Sequence, residues 1–186
     1  GVTSLACPPD TDPPLDEPGL VEMLKQRAKS LNQSHVYPIG ALTVGLKGSA
    51  LTEMSQLTAA GCVAFSQADA PITDTQVLLR ALEYASTFGY PVWLRPQDAY
   101  LARGGVAHDG EVATRLGLPG IPACAETIAI ATILQLVKKT GARVHLCHAV
   151  ERCVECAQEG RVDGVHRRAL HAHQRHAISI LDVHEL

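Results

Sequence analysis

The feature that most constrains the fold is a repeated alternation of short apolar runs with longer segments of helical periodicity. The predicted strands are residues 2–7, 36–42, 62–65, 91–94 and 143–147, and the predicted helices are residues 19–31, 51–60, 75–88 and 125–140. Five strands that alternate with four helices indicate parallel βα units. The pattern leaves two architectures open, an open doubly wound sheet and a barrel. In both, ligands bind at the loops that follow the carboxyl ends of the strands.

Several predicted helix ends carry their own signals. Asp74 stands where it can cap the helix that follows it, and Gly61, Gly89 and Gly141 stand where helices are expected to end. Between residues 95 and 124 glycines and prolines are frequent, and we expect an irregular stretch there.

Charge and composition exclude some classes of function. The net charge is -3 and the pI about 6.3, which gives no electrostatic case for binding nucleic acid or an anionic membrane. No apolar run reaches the roughly 18 residues of a membrane span, and no secretory signal opens the chain. We therefore expect a cytoplasmic protein in which Cys7, Cys62 and Cys124 are reduced core residues. Because the chain opens on Gly1 and not on methionine, we also expect it to begin inside a larger protein.

Polar side chains gather at the predicted strand ends. They are Asp10 and Asp12, Lys47, Gln67 and Asp69, Arg95, Gln97 and Asp98, and finally His148. A catalytic zinc needs three or four N, O or S donors near 2 Å, and among these residues only His148 is an ordinary zinc ligand. Arg95 is permanently cationic and would repel a metal ion beside it. We expect it to hold a carboxylate such as Asp98 or a loop carbonyl, with an anionic ligand as the alternative.

A family resemblance is carried by several segments of the chain. They are GVTSLAC at residues 1–7, PPDTDPP at 8–14, YPIGA at 37–41, GLKG at 45–48, AAGCVAFS at 59–66, RALEYA at 80–85 and GEVATRLGLPGIPA at 110–123, which is followed by Ala125 and Glu126. Together they resemble the long, aspartate-transcarbamoylase-associated type of dihydroorotase, of the amidohydrolase superfamily, over about residues 1–156. The resemblance implies an α/β fold: a partial (β/α)8 TIM-type barrel that lacks its first and last strands in this chain. It also implies a zinc site and the ring closure of carbamoyl aspartate to dihydroorotate.

The family's site residues carry over poorly. An asparagine that the family uses to hold substrate corresponds to Asp10, a ligand aspartate corresponds to Gln67, and a ligand histidine corresponds to Arg95. The final ligand histidine matches His148. The family's His-x-His pair would lie before Gly1. Among the residues that can be compared, two ligand positions are lost and one metal ligand, His148, is kept.

This pattern of loss resembles the non-catalytic dihydroorotase-like chain that some bacteria keep as a partner of aspartate transcarbamoylase. The resemblance implies a scaffold for the catalytic chain of that enzyme, without a catalytic residue or a resident cofactor, and an oligomeric assembly. The alternative is an active zinc-dependent dihydroorotase or related cyclic amidohydrolase with an altered metal site that uses His148. Asp10 has a second interpretation as a turn former among prolines.

The C-terminal part is rich in possible metal ligands. Cys147, His148, Cys153 and Cys156 have the composition of a zinc site, although strand and helix constraints oppose a tetrahedral cluster. We expect residues 1–160 to form the partial barrel. Residues 161–186, which contain His166, His171, His173, His176 and His184, form a divergent His/Arg-rich tail or a degenerate barrel strand. A metal-binding tail is the further alternative.

Overall fold

The apolar runs form strands and the periodic segments form helices in the computed structural model, which describes residues 1–31 and 33–148. The strands are β1 (Ser4–Cys7), β2 (His35–Ala41), β3 (Ala64–Ser66), β4 (Val92–Leu94), β5 (Ala107–His108), β6 (Gly120–Ile121) and β7 (Val144–Leu146). The helices are α1 (Pro18–Leu31), α2 (Met54–Ala60), α3 (Thr75–Phe88), α4 (Glu111–Leu116) and α5 (Cys124–Thr140), with a 3-10 turn over Val44–Leu46. Residues 149–186 lie outside the described part, and with them the predicted tail, Cys153 and Cys156.

The main sheet decides between the two architectures. Its strand order is β1-β2-β3-β4-β7, and every neighbouring pair is parallel. A doubly wound sheet reverses its strand order at a switch point, whereas a barrel adds each strand beside the previous one. The sequential order is therefore that of a barrel, and the described strands form a segment of it.

The pairing register brings the strand ends together. Ala41 pairs with Ser66, Ser66 with Trp93, and Leu94 with Leu146. The loops that follow β2, β3, β4 and β7 therefore leave the sheet at one edge, where parallel α/β proteins place their ligands.

The hydrophobic core lies between the sheet and the helices. Phe65, Val92 and Val144 from the sheet pack in one cluster with Leu82 of α3 and with buried side chains of α5; the three sheet residues and Leu82 are at most 2% exposed. Successive side chains of a strand point to opposite faces. The intervening residues Trp93 and His145 therefore face the other side of the sheet, where their ring centroids lie 5.2 Å apart.

The predicted helix ends are confirmed. Oδ1 of Asp74 accepts hydrogen bonds from the N–H groups of Gln76 at 2.8 Å and Val77 at 3.4 Å, which satisfies donors at the start of α3. Gly89 follows α3 with φ of 70°, a left-handed conformation that glycine adopts without steric cost.

The stretch between β4 and α5 is more regular than predicted. It contains α4 and the parallel pair β5–β6. Two-residue strands are too short to show alternation in a sequence, which is why the pattern missed them. A Cβ atom on Gly120 would lie 2.8 Å from Cβ of Asp109, so the approach of these two segments requires glycine.

The cysteine prediction is correct in part. Cys62 is buried at 5% exposure, whereas Cys7 is half-buried at the end of β1 and Cys124 is exposed at the start of α5. Both of these sit at element ends, where the helix–sheet layer no longer covers them. No helix in the described ranges combines the length and apolar character that a membrane crossing needs.

Candidate functional site

A cavity of about 280 Å³ opens at the carboxyl ends of the strands, and we call it the mouth cavity. Asp10 follows β1, Asp69 follows β3, Arg95 follows β4, and His148 follows β7; all four line it. Trp93 also contributes to its wall. Four of the five predicted strand-end loops therefore meet at one place, which is the usual position of a ligand site in this architecture. Lys47, in the loop after β2, does not line the cavity.

Arg95 makes an ion pair across the edge of the mouth cavity. Its Nη1 lies 2.8 Å from Oδ1 of Asp69. The prediction that Arg95 holds a carboxylate is confirmed, but the carboxylate is that of Asp69 and not the example named, Asp98. Oδ1 of Asp98 accepts hydrogen bonds from the backbone N–H groups of Tyr100 and Leu101, both at 2.9 Å. Asp98 thus orders its own loop, and the carboxylate for Arg95 comes from the neighbouring strand's loop.

Gln67 is held away from the mouth cavity by a buried hydrogen-bonded pair. It is 3% exposed, and its Nε2 lies 2.8 Å from Oγ1 of Thr43, with Oε1 3.0 Å from the same oxygen. The same hydroxyl accepts a hydrogen bond from the N–H of Gly48 at 2.9 Å. Buried polar groups need such partners, so Gln67 serves as a link between the loops that follow β2 and β3. No local sequence signal predicts this link, because 24 residues separate its two members.

His148 lies at the mouth cavity in an uncommon backbone conformation. Its φ is 56°, in the left-handed region that residues other than glycine rarely adopt. The neighbouring Cys147 also lines the cavity, and burial raises the pKa of its thiol. Burial likewise lowers the pKa of His145, whose ring packs beside Trp93. Both shifts favour neutral side chains near this end of β7.

Asp10 is exposed and reaches the mouth cavity from the proline-rich loop. In the same loop, Oγ1 of Thr11 donates a hydrogen bond to the carbonyl of Pro13 at 2.7 Å. The position of Asp10 is compatible with the substrate role that the resemblance implies and with a turn-forming role, and both stay predictions.

The donors that the described residues bring to the mouth cavity do not by themselves form the zinc site that the family resemblance implies. Within residues 1–31 and 33–148, no group of three or more His, Cys, Asp or Glu side chains is arranged to hold a metal ion. The Arg95 guanidinium adds a positive charge to the same cavity, and the amide of Gln67 is engaged with Thr43.

Sequential parallel strands with polar residues at their carboxyl ends define a segment of an α/β barrel. A solved structure shares this fold: an L-hydantoinase (dihydropyrimidinase) from Arthrobacter aurescens, with a TM-score of 0.66 over 88% of this chain and 38% of that chain, at 17% identity. At that identity the likeness concerns the fold alone.

The sequence places the chain in one family within that class. The family model described as dihydro-orotase-like matches residues 1–153, and the chain belongs to this family. A dihydroorotase-like protein of Pseudomonas putida is 51% identical over 145 residues, which are 78% of this chain and 34% of that protein. A dihydroorotase-like protein of Pseudomonas aeruginosa is 44% identical over 89% of this chain and 39% of its own length. A dihydroorotase of Pelotomaculum thermopropionicum is 41% identical over 89% of this chain and 39% of its own length. The chain thus spans between a third and two fifths of these relatives.

Proposed function

We propose that this chain belongs to a non-catalytic dihydroorotase-like protein of pyrimidine biosynthesis that scaffolds the catalytic chain of aspartate transcarbamoylase. The observation that carries the proposal is the Arg95–Asp69 ion pair at the mouth cavity. A guanidinium stands at the position that matches a ligand histidine of the family. A divalent cation would have to approach this fixed positive charge, which raises the free energy of the bound state.

The second altered ligand position supports the same conclusion. Gln67 is buried and already satisfied by Thr43. To bind a metal through its amide oxygen, it would have to leave that partner, and the buried Thr43 hydroxyl would keep only the bond from the N–H of Gly48. A buried hydrogen bond lost in this way costs about 1–3 kcal/mol. The names of the relatives support a dihydroorotase-like protein: the two Pseudomonas proteins, at 51% and 44% identity, are called dihydroorotase-like, and the Pelotomaculum protein, at 41%, is called dihydroorotase.

Zinc content and cyclisation activity test the absence of catalysis. The protein, purified at its natural length, is analysed for bound metal and assayed for conversion of carbamoyl aspartate to dihydroorotate. We expect substoichiometric zinc and no turnover above the uncatalysed rate. Stoichiometric zinc with turnover that His148→Ala abolishes would instead establish the alternative, an active amidohydrolase with an altered metal site.

Assembly tests the scaffolding role separately. The catalytic chain of aspartate transcarbamoylase is produced with and without the protein, and both its oligomeric size and its activity are measured. We propose a cytoplasmic, oligomeric complex, and we expect a larger and more active assembly when both chains are present. A catalytic chain with the same size and activity in both preparations would contradict the scaffold.

A further inference from the structure

A second cavity lies beside the mouth cavity, on the side of the sheet that faces the helices. We call it the lateral cleft; its volume is about 120 Å³. Its apolar walls come from two directions, with Ile72 and Leu78 on one side and Ile128 and Ile133 of α5 on the other. Leu78 and Ile133 belong to the helix–sheet core, so the cleft opens into that layer and is separate from the mouth cavity.

Arg95 lines both cavities. Among the described residues that line the lateral cleft, it is the one cationic side chain. The one acidic side chain of that lining, Asp98, already accepts two backbone hydrogen bonds through Oδ1. Asp98 is thus engaged in ordering its own loop, and Arg95 is the one charged hydrogen-bond donor among the described residues of this lining.

The ion pair with Asp69 leaves Arg95 able to bind a second anion. A guanidinium carries five N–H donors in a planar fork, and Nη1 makes the contact with Asp69. Asp69 is 70% exposed and lines the mouth cavity rather than the lateral cleft. Exposed ion pairs contribute little free energy, so this pair does not compete strongly with a ligand that reaches the guanidinium from the other side.

We propose that the lateral cleft binds a small apolar carboxylate, with its carboxylate on Arg95 and its hydrocarbon part between Ile72, Leu78 and the α5 side chains. The size agrees, because a cavity of about 150 Å³ holds one benzene molecule and the lateral cleft is slightly smaller. Phosphate could replace its hydration only at Arg95 and at polar lining residues such as Thr73, Thr75 and Thr132, and it would lose the rest against the apolar side chains. A neutral hydrocarbon would remove water from the guanidinium without offering it a hydrogen-bond acceptor. This site goes beyond the proposed scaffold function and stands independently of it.

The test uses isovalerate as the probe and isovaleramide as its neutral, isosteric control. Both are titrated into the protein while the isoleucine methyl signals are followed by NMR. We expect isovalerate to shift the signals of Ile128 and Ile133 and to bind at least about tenfold more tightly than isovaleramide, since hydrogen bonds to charged groups contribute about 1.5–3 kcal/mol.

Three variants locate the site. Arg95→Gln removes the charge while keeping a polar side chain, and we expect the preference for the carboxylate to fall below about twofold. Asp69→Asn leaves the guanidinium without its exposed partner and is expected to keep or increase the affinity. Ala129→Leu, on the partly buried face of α5, is expected to fill the cleft and to abolish binding. Each variant is compared by its spectrum with the parent protein, so that loss of binding is separated from loss of folding.

The proposal is overturned by any of three results. Neither probe binds; or acid and amide bind equally; or the shifts centre on Ile39, which lines the mouth cavity and would place the ligand there.

Discussion

The buried Thr43–Gln67 pair offers a decisive test of the claim that Gln67 is structural. Replacing Thr43 with valine keeps the shape of the side chain and deletes its hydroxyl. Two groups then lose their partner: the Gln67 amide, which is 3% exposed, and the N–H of Gly48, which is half-buried. Each buried polar group without a partner costs about 1–3 kcal/mol. Because Gly48 has some access to water, we expect Thr43→Val to lower the free energy of unfolding by about 2–4 kcal/mol.

Urea denaturation followed by circular dichroism measures this loss. Thr43→Ser is the matched control, since it keeps the hydroxyl and removes one methyl group, with an expected cost of about 1 kcal/mol. The double variant Thr43→Val with Gln67→Met removes both polar partners, and it should be more stable than the sum of the two single changes predicts. If the valine and serine variants unfold within about 0.5 kcal/mol of each other, the pair does not hold Gln67 and the structural role assigned to it is refuted.

Three further predictions concern the stability of the fold around the site. Burial raises the pKa of Cys62 to about 11 from 9.0, so the thiol of the unfolded state loses its proton first as the pH rises. The stability that this thiol contributes should be fully present below pH 9 and should decline towards pH 11, by about 2 kcal/mol. Unfolding curves at pH 8 and 10.5 should show a steeper loss of stability for the parent than for Cys62→Ala. Asp74→Ala deletes the cap of α3 and should cost about 1 kcal/mol in urea unfolding, whereas Asp74→Ser should retain most of it; equal losses in both variants would contradict the capping role. Leu82→Ala, at a fully buried position, should cost about 2–5 kcal/mol, and a thermal-unfolding midpoint unchanged from that of the parent would show that the helix–sheet layer is not the stabilising core.

Local signals in the sequence predicted the local parts of the fold. The helical periodicity and the cap at Asp74 located α3, and Gly89 marked its end, because these signals act between residues a few positions apart. The choice of a barrel over an open sheet depends on strand order, which periodicity does not encode. It required the family resemblance at the sequence level and the observed order β1-β2-β3-β4-β7 in the structure.

The sequence predicted the location of the candidate site but not the contacts that its side chains make. The strand-end rule brought Asp10, Arg95 and His148 to one cavity, as observed. A carboxylate partner for Arg95 was predicted with Asp98 as the example, yet Asp69 fills that role from 26 positions earlier in the chain. Spacing along one loop says little about which carboxylate lies near Arg95, because the loops that follow two adjacent parallel strands lie side by side.

The contacts also explain why restoring a single ligand should not restore a metal site. Gln67 is bound to Thr43 and Arg95 to Asp69, so each altered position has a partner of its own. A change of Gln67 to aspartate would leave the guanidinium in the mouth cavity, where it could pair with the new carboxylate instead of a cation. A change of Arg95 to histidine would leave Asp69 exposed and Gln67 turned away. Two positions and their partners would have to change together before three donors could converge on one ion.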